Sequence, residues 1–329
     1  MESHVRPQSP HLNAPTEIFL SGHRPAATAP DLRTAYTFAR EAHRLQPDDL
    51  RGKPGHRLFW FSAEHGWGSR SILADPDAFV IAGRHTCCAV LLPEDPAVSL
   101  RHLLIRSIAL PMGGTAVRIL DLHSEQGFRL VDGSSQTSIV AQGPAAITVG
   151  AYALVVLPMQ DTLPEALPVA DVTTCSPEGL LPSGDPYRTS GRAGFQSRIT
   201  LMPRLVTLGE APQPSIGRLV RGSAYIVTLE REGRTAATRL SDEDLLGGVV
   251  IGRSEKCHSE SLRRVTAGGT SRLHCLVIRD GDGIHAYDLA STQGTYHNGG
   301  LARRVLLGHR TELRLGQGES AVKMSWQVG

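Results

Sequence analysis

The sequence predicts an all-β protein made of two β-sandwiches, with one short helical segment near the N-terminus. Its 329 residues include 34 Gly and 21 Pro, which interrupt many short apolar runs. Turn signals that recur about every eight to twelve residues between such runs are typical of β-sandwiches. A length of 329 residues favours two domains, on a prior of about 150 residues each. Either domain is long enough to bury a core of its own.

Charge and composition exclude several classes of partner. The formal net charge is +2 and the Arg residues are scattered, so we expect no nucleic-acid partner. No apolar run approaches the ~20 residues that cross a bilayer, so we expect no membrane insertion. Five Cys, an odd number that includes adjacent Cys87 and Cys88, occur without a signal-peptide pattern. This usage favours a reducing cytoplasm over a disulfide framework.

Residues 1–54 are predicted to form an N-terminal arm followed by a helix. The stretch from Met1 to about Pro30 is rich in Pro, His, Ser and Thr and has no sustained period, which indicates a mobile arm or a loose cover. From Asp31 to Leu45 the pattern is helical, and Asp31 can cap the helix. Its predicted apolar face consists of Leu32, Ala35, Tyr36, Ala39, Ala42 and Leu45. We expect this face to pack on the neighbouring sandwich rather than to bind a partner.

The strand pattern begins at Leu58–Phe61, and the chain then repeats itself. The first copy of the repeat consists of Gly83-Arg84, Ser99-Leu100-Arg101-His102, Asp121 to Phe128, Asp132-Gly133 and Gly150. The second consists of Gly252-Arg253, Ser271-Arg272-Leu273-His274, Asp288 to Thr295, Asn298-Gly299 and Gly316. Cys88 and Cys257 occupy equal offsets in the two copies, which we interpret as those of small buried residues. The repeat predicts sandwiches at 55–160 and 215–329, joined by a Pro/Gly-rich linker at 161–214.

The segment from Asp288 to Gly299 has the densest pattern in the chain. It leaves a predicted strand, runs through polar residues and ends in Asn298-Gly299, a strong hairpin signal. Taken with Gly252-Arg253 and the Ser-Arg-x-His segment, it resembles the forkhead-associated (FHA) domain, a phosphothreonine-peptide reader, over about residues 222–329. The resemblance implies an eleven-stranded sandwich in each half, with binding loops at one end. Loops on a rigid scaffold are a usual place for function.

The resemblance assigns a phosphopeptide-binding set and a supporting set in the second half. Arg253 would bind the phosphate, Ser271 would donate its hydroxyl to it, and Arg272 would be a second charged donor. Thr292 would hold the loop on the phosphate side. Gln293 stands where the family usually has Asn, and offers the same amide one methylene further out. The supporting residues would be Gly252, His274, Gly294, Asn298 and Gly299.

The first half departs further from the family pattern. Arg84 and Ser99 remain, but Glu125 stands where Thr292 stands in the second half, and Phe128 replaces Thr295. A carboxylate near a phosphate pocket would repel the phosphate. We therefore expect Arg84, Ser99 and Glu125 to mark a vestigial site, in a half that is degenerate or recognises an unphosphorylated surface.

Two other kinds of site rank lower. Ser271, His274 and Asp288 are the residue types of a hydrolytic triad, but no Gly-x-Ser-x-Gly elbow surrounds the serine. The cysteines include no Cys-x-x-Cys pair, which argues against zinc. We expect no enzymatic activity, no metal and no cofactor.

Two functions from different classes stay open. The first is a non-enzymatic adaptor that binds a phosphothreonine-containing protein through the C-terminal half, which implies a Ser/Thr kinase upstream. The second is a phosphate-independent scaffold or assembly protein that uses both sandwiches, with self-association as one option. Glu125 and Gln293 favour the scaffold, whereas Arg253, Ser271 and Thr292 favour the adaptor.

Overall fold

The computed structural model describes residues 29–45, 53–110, 113–159, 162–174, 197–205, 225–257, 260–280 and 283–329. Within these residues the chain forms four β-sheets and three short helices, which confirms the all-β prediction. The predicted N-terminal arm falls almost entirely outside the described residues.

Helix α1 (Leu32–Arg44) covers one face of the first sandwich. The Asp31 carboxylate accepts a hydrogen bond of 2.9 Å from the Thr34 N–H and caps the helix as predicted. The buried helix residues pack in one cluster with residues of three strands, namely Leu32, Ala35, Tyr36 and Ala39 with Phe59, Phe61, Ala146, Ala153, Val155 and Leu157. The prediction that Leu45 lies on this face is wrong: the helix ends at Arg44, and Leu45 is 85% exposed.

The N-terminal sandwich contains thirteen strands in the described residues. They are β1 (Gly55–Ser62), β2 (Gly66–Leu73), β3 (Phe79–Gly83), β4 (Val90–Leu91), β5 (Leu103–Ala109), β6 (Thr115–Asp121), β7 (Phe128–Arg129), β8 (Ser135–Gln136), β9 (Ser138–Gln142), β10 (Ala145–Val149), β11 (Tyr152–Pro158), β12 (Ala170–Thr174) and β13 (Ser197–Leu201). One sheet has the order β2-β1-β11-β10-β7-β8, and the other has the order β12-β13-β9-β6-β5-β3-β4. An apolar core fills the space between them.

Strands β12 and β13 lie within the stretch 161–214 that the sequence predicts to be a linker. They pair in parallel, and β13 pairs antiparallel with β9 of the N-terminal sandwich. Ile199 is buried in the core of that sandwich, and Leu201 packs against it. This part of the chain therefore extends a sheet. The domain limits drawn from the sequence stay a prediction.

The C-terminal sandwich contains ten strands and two helices in the described residues. They are β14 (Tyr225–Arg231), β15 (Arg234–Leu240), α2 (Asp242–Gly247), β16 (Val249–Ile251), α3 (Glu260–Thr266), β17 (Cys275–Asp280), β18 (Gly283–Asp288), β19 (Thr295–His297), β20 (Gly300–Ala302), β21 (Arg304–Leu306), β22 (Arg310–Leu315) and β23 (Val322–Val328). Its sheets have the orders β15-β14-β23-β22-β19-β20 and β16-β17-β18-β21, around a core that includes Trp326.

Helices α2 and α3 are absent from the sequence prediction, which found a single clear helix. They span six and seven residues, too few for a helical period to stand out. A capping box starts α2: the Ser241 hydroxyl accepts from the Asp244 N–H, and the Asp244 carboxylate accepts from the Ser241 N–H.

The two sandwiches pack against each other through an apolar cluster, which we call the inter-sandwich interface. Its buried residues come from both sandwiches and from the short segment that follows β13. They are Phe79, Ile81, Cys88, Leu104, Leu120, Leu122, Leu205, Val250, Cys257, Leu276, Ile278, Tyr287 and Leu289. Strands β3 and β17 are consequently covered on both faces. The interpretation of Cys88 and Cys257 as small buried residues agrees with their place here, where burial raises the pKa of each thiol, to about 11 and about 12.

Buried polar groups also cross the inter-sandwich interface. Arg106 of β5 forms an ion pair with Asp280 of β17 and donates to the Tyr287 hydroxyl. That hydroxyl in turn donates to Asp280 over 2.8 Å. Arg118 of β6 donates to the Leu246 carbonyl over 2.9 Å. Charged groups that are buried must be paired and hydrogen-bonded, so these contacts fix how the two sheets meet.

Candidate functional site

The loops after β16 and before β17 lie side by side. The Arg253 N–H donates to the Ser271 carbonyl, and the Ser254 N–H donates to the Arg272 carbonyl, each over 3.0 Å. Gly252 makes this approach possible, because a Cβ there would lie only 2.2 Å from the Arg272 carbonyl oxygen. The side chains of Arg253 and Arg272 are exposed. Two cations and one hydroxyl thus share one end of the sandwich.

The loop after β18 joins this group through Ser271. The Thr292 N–H donates to the Ser271 Oγ over 3.0 Å. A serine hydroxyl accepts through its oxygen and still donates one hydrogen, so Ser271 keeps its hydrogen for a further acceptor. The structure therefore brings the backbones of Arg253 and Thr292 into hydrogen-bond contact with Ser271. The binding role of these residues stays a prediction.

Asp288 builds the turn that presents Thr292, a role the sequence analysis missed. Its carboxylate accepts from the Ser291 N–H over 2.8 Å, from the Ser291 hydroxyl over 2.6 Å and from the Thr295 hydroxyl over 2.7 Å. Between Asp288 and Ser291, Ala290 adopts a left-handed backbone with φ of 53°. The signal was present in the sequence, since Asp followed by Ser is ordinary turn chemistry.

His274 is fully buried and joins two of the loops. Its Nδ1 accepts from the Ser271 N–H, and its Nε2 lies 3.1 Å from the Gly294 carbonyl. Because a carbonyl only accepts, the hydrogen is assigned to Nε2 and the ring is neutral. Burial lowers the pKa of His274 and so favours this neutral form. The position agrees with the supporting role expected for it.

The same contacts exclude the hydrolytic triad. His274 bonds to the backbone of Ser271 and not to its hydroxyl, and the Asp288 carboxylate is bonded to Ser291 and Thr295. A nucleophilic serine needs its base on the hydroxyl. Among the described residues, no three His, Cys, Asp or Glu side chains form a metal-binding group.

Gln293 faces the hairpin between β22 and β23. Its Oε1 lies 3.4 Å from the Gln317 N–H, which donates to it. A pocket of about 610 Å³ opens beside it, lined by Thr292, Gln293, Tyr296, Leu301, Arg303 and Gln317, among others. The amide of Gln293 is therefore directed toward Gln317, at the rim of this pocket.

The predicted hairpin at Asn298-Gly299 is present between β19 and β20. Asn298 and Gly299 have φ of 49° and 80°, which are the left-handed values that a type I′ turn requires. Both residues are exposed and lie at the tip of this hairpin. The supporting role expected for Asn298 and Gly299 stays a prediction.

The N-terminal sandwich repeats this hydrogen-bond scheme. The Arg84 N–H donates to the Ser99 carbonyl, the Ser99 N–H donates to His102 Nδ1, and His102 Nε2 lies 2.8 Å from the Gly127 carbonyl. The thiols of Cys88 and Cys257 each donate to the carbonyl of the equivalent residue over 3.3 Å. The internal repeat in the sequence thus corresponds to a repeated set of contacts.

The equivalent of the binding group is altered in the N-terminal sandwich. Arg84 directs its Nε to the Val98 carbonyl. Leu100 stands where Arg272 stands in the second copy, and Glu125 is exposed at the Thr292 position. In the part of the chain that the structure describes, no backbone N–H of the Glu125 loop reaches the Ser99 hydroxyl.

None of the helices in the described ranges is long and apolar enough to cross a membrane.

Comparison with known proteins places the C-terminal loops in a family. Residues 249–316 match the model of the FHA domain. Among solved structures, FHA-1 of Rv1747 from Mycobacterium tuberculosis is 18% identical over 32% of this chain and 97% of that chain, with a TM-score of 0.26. The FHA domain of CT664 from Chlamydia trachomatis is 16% identical over 31% of this chain and 96% of that chain, with a TM-score of 0.26.

A third structure, from work on phosphothreonine-dependent FHA domain interactions, is 20% identical over 31% of this chain and 95% of that chain, with a TM-score of 0.25. No curated protein matches the chain. The model match covers the β16 to β22 segment, with the Arg253, Ser271 and Thr292 loops inside it. Residues 249–316 of this chain thus match the FHA domain family.

Proposed function

We propose that this chain is a non-enzymatic adaptor whose FHA domain binds a phosphothreonine-containing protein. FHA domains are interaction modules, and phosphopeptide binding is known at the level of the family. The observation that carries the proposal is the geometry at Ser271, whose oxygen is engaged by the Thr292 N–H and whose hydrogen stays available. In this proposal the ligand is a phosphopeptide made by an upstream Ser/Thr kinase.

The charges around Ser271 suit a phosphate. A phosphothreonine carries nearly two negative charges and three acceptor oxygens. Arg253 and Arg272 are exposed, and within the described residues no carboxylate is paired with either of them. In the proposal both guanidinium groups bind the phosphate oxygens, Ser271 donates its hydroxyl, and Thr292 fixes the neighbouring loop. Gln293 contacts the peptide backbone from the rim of the pocket.

The N-terminal sandwich is proposed not to bind phosphothreonine. Leu100 removes the second cation, Glu125 adds a negative charge, and Arg84 is directed to a carbonyl. Its role in this proposal is to support the FHA domain.

The test is the binding of a degenerate phosphothreonine peptide library to the full chain, beside unphosphorylated and phosphoserine libraries. We expect binding only with phosphothreonine, and Arg253→Ala should weaken it by at least about tenfold, because hydrogen bonds to charged groups contribute ~1.5 to 3 kcal/mol. Arg84→Ala is the matched control, since it removes the equivalent Arg of the first copy, and it should leave binding unchanged. Fluorescence anisotropy with a selected peptide measures each affinity.

Binding that ignores the phosphate or Arg253 would contradict the adaptor and favour the second candidate, a phosphate-independent scaffold. One observation favours that scaffold: the Gln293 amide oxygen already accepts from Gln317 within the domain. The scaffold would use both sandwiches and would bind its partner equally well in either phosphorylation state.

A further inference from the structure

A buried arginine of the N-terminal sandwich reaches the loop that presents Thr292. Arg101 is 4% exposed, and its Nε and Nη2 donate to the Ala290 carbonyl over 3.2 Å and 2.5 Å. Ala290 is the residue with left-handed φ in that loop. This conformation is unfavourable for a non-glycine residue, so two charge-assisted hydrogen bonds to its carbonyl act on a strained point of the loop.

The C-terminal sandwich makes the reciprocal contact to the N-terminal sandwich. His123 occupies the position equivalent to Ala290 in the first copy, and its φ is 57°. Its carbonyl accepts from the Lys256 Nζ over 3.2 Å. Each sandwich therefore uses a cation to hold the left-handed carbonyl of the other. Arg101 occupies the repeat position that Leu273 occupies in the second copy. The second copy therefore has no equivalent arginine, and the Arg101 contact is formed only where the two sandwiches meet.

The contact at Ala290 leads directly to the proposed phosphate group. Ala290 is followed by Ser291, which bonds to Asp288, and by Thr292, whose N–H bonds to the Ser271 hydroxyl. A shift of the Ala290 carbonyl would move Thr292 and alter the direction in which Ser271 donates. The neighbouring Leu289 is buried in the inter-sandwich interface, so the N-terminal sandwich also contacts the start of the loop.

We infer that Arg101 is a positioning residue: the N-terminal sandwich holds the Ala290 to Gln293 loop of the FHA domain in its binding conformation. This inference rests on the proposed phosphopeptide function for its effect on affinity, but its effect on the loop does not require a ligand. The N-terminal sandwich is then a part of the binding site without touching the peptide.

The experiment compares Arg101→Met with Arg118→Met in the full chain. Both variants remove buried hydrogen bonds across the inter-sandwich interface, and only Arg101 touches the loop; Arg118 donates to the Leu246 and Arg279 carbonyls. The first measurement is amide hydrogen exchange of residues 289–294 without ligand. We expect faster exchange in Arg101→Met, unchanged exchange in Arg118→Met, and partial recovery in Arg101→Lys, which keeps the charge with fewer donors.

The second measurement is the affinity for the phosphothreonine peptide selected by the library. Arg101→Met should weaken binding by roughly threefold to tenfold, an effect transmitted through the loop, while Arg118→Met should not. Unchanged exchange in Arg101→Met, or equal effects of the two methionine variants, would overturn the inference. If the wild-type chain binds no phosphopeptide while Arg101→Met still loosens the loop, the positioning stands and the proposed function fails.

Discussion

Replacing Asp280 with alanine is expected to lower the free energy of unfolding by about 3 to 5 kcal/mol, the usual result of removing one partner of a buried ion pair. Asp280 is buried in the inter-sandwich interface, where it pairs with Arg106 and accepts from the Tyr287 hydroxyl over 2.8 Å. The variant deprives a buried guanidinium of this carboxylate and a buried hydroxyl of its acceptor. Urea denaturation of the full chain, followed by tryptophan fluorescence, measures the change.

Glu312→Ala is the control for this prediction. Glu312 forms an ion pair of 2.9 Å with Lys323, but the two side chains are 67% and 50% exposed. Exposed ion pairs contribute only ~0 to 1 kcal/mol, so this variant should unfold near the wild-type midpoint. Equal and small effects of the two substitutions would show that the Arg106 to Asp280 contact does not hold the sandwiches together.

The local elements of the C-terminal half were predictable because their signals are short-range. Asn298-Gly299 specifies a type I′ turn by the backbone freedom of these two residues alone. Gly252 and His274 could be assigned to support, through the FHA resemblance, and the structure places both against the loops that they join. The residues of the binding group came from the same pattern, and their role stays a prediction.

The inter-sandwich interface could not be predicted in the same way. It is formed by residues far apart in the chain, and the repeat itself suggested two independent domains. One signal was available: Phe79–Ala82 and Cys275–Ile278 are continuous apolar runs, which indicate strands covered on both faces. Such a run does not say what covers the second face, so no pattern in the sequence paired Arg101, Arg106 or Asp280 with the other sandwich.

The segment at 161–214 shows a different limit of the sequence. Residues 198–201 alternate between polar and apolar over only four positions, among many Pro and Gly. A strand this short gains its stability from the edge that it joins, here β9, and not from its own propensity.

The second large effect is expected in acid. His56 is fully buried, with its Nδ1 2.8 Å from the Ser107 hydroxyl, and burial lowers its pKa from 6.5 to about 3. Burial, with smaller contributions from Lys256 and Arg204, lowers the pKa of His123 to about 4. Above about pH 7.5 these rings are neutral in both the folded and the unfolded chain, so they do not affect stability there.

Below that pH the unfolded chain takes up protons that the folded chain does not. The free energy of unfolding should therefore fall as the pH falls, by about 1.4 kcal/mol per pH unit for each such histidine. For His123 the loss ends near pH 4, and for His56 it continues to about pH 3. Burial raises the pKa of Asp121, so the folded chain takes up this proton before the unfolded chain does and gains stability as the pH falls. The pH dependence of the wild-type chain therefore combines opposite contributions.

The contribution of His56 is isolated by comparing the wild-type chain with His56→Asn, which keeps a neutral polar group beside Ser107 and cannot be protonated in this range. Urea unfolding at several values between pH 6 and pH 4 should show the wild-type free energy of unfolding falling by about 1.4 kcal/mol more per pH unit than that of the variant. All other groups contribute equally to both proteins, so the difference belongs to this ring. Parallel curves would mean that His56 is protonated as readily in the folded chain as in the unfolded chain, and that burial does not lower its pKa.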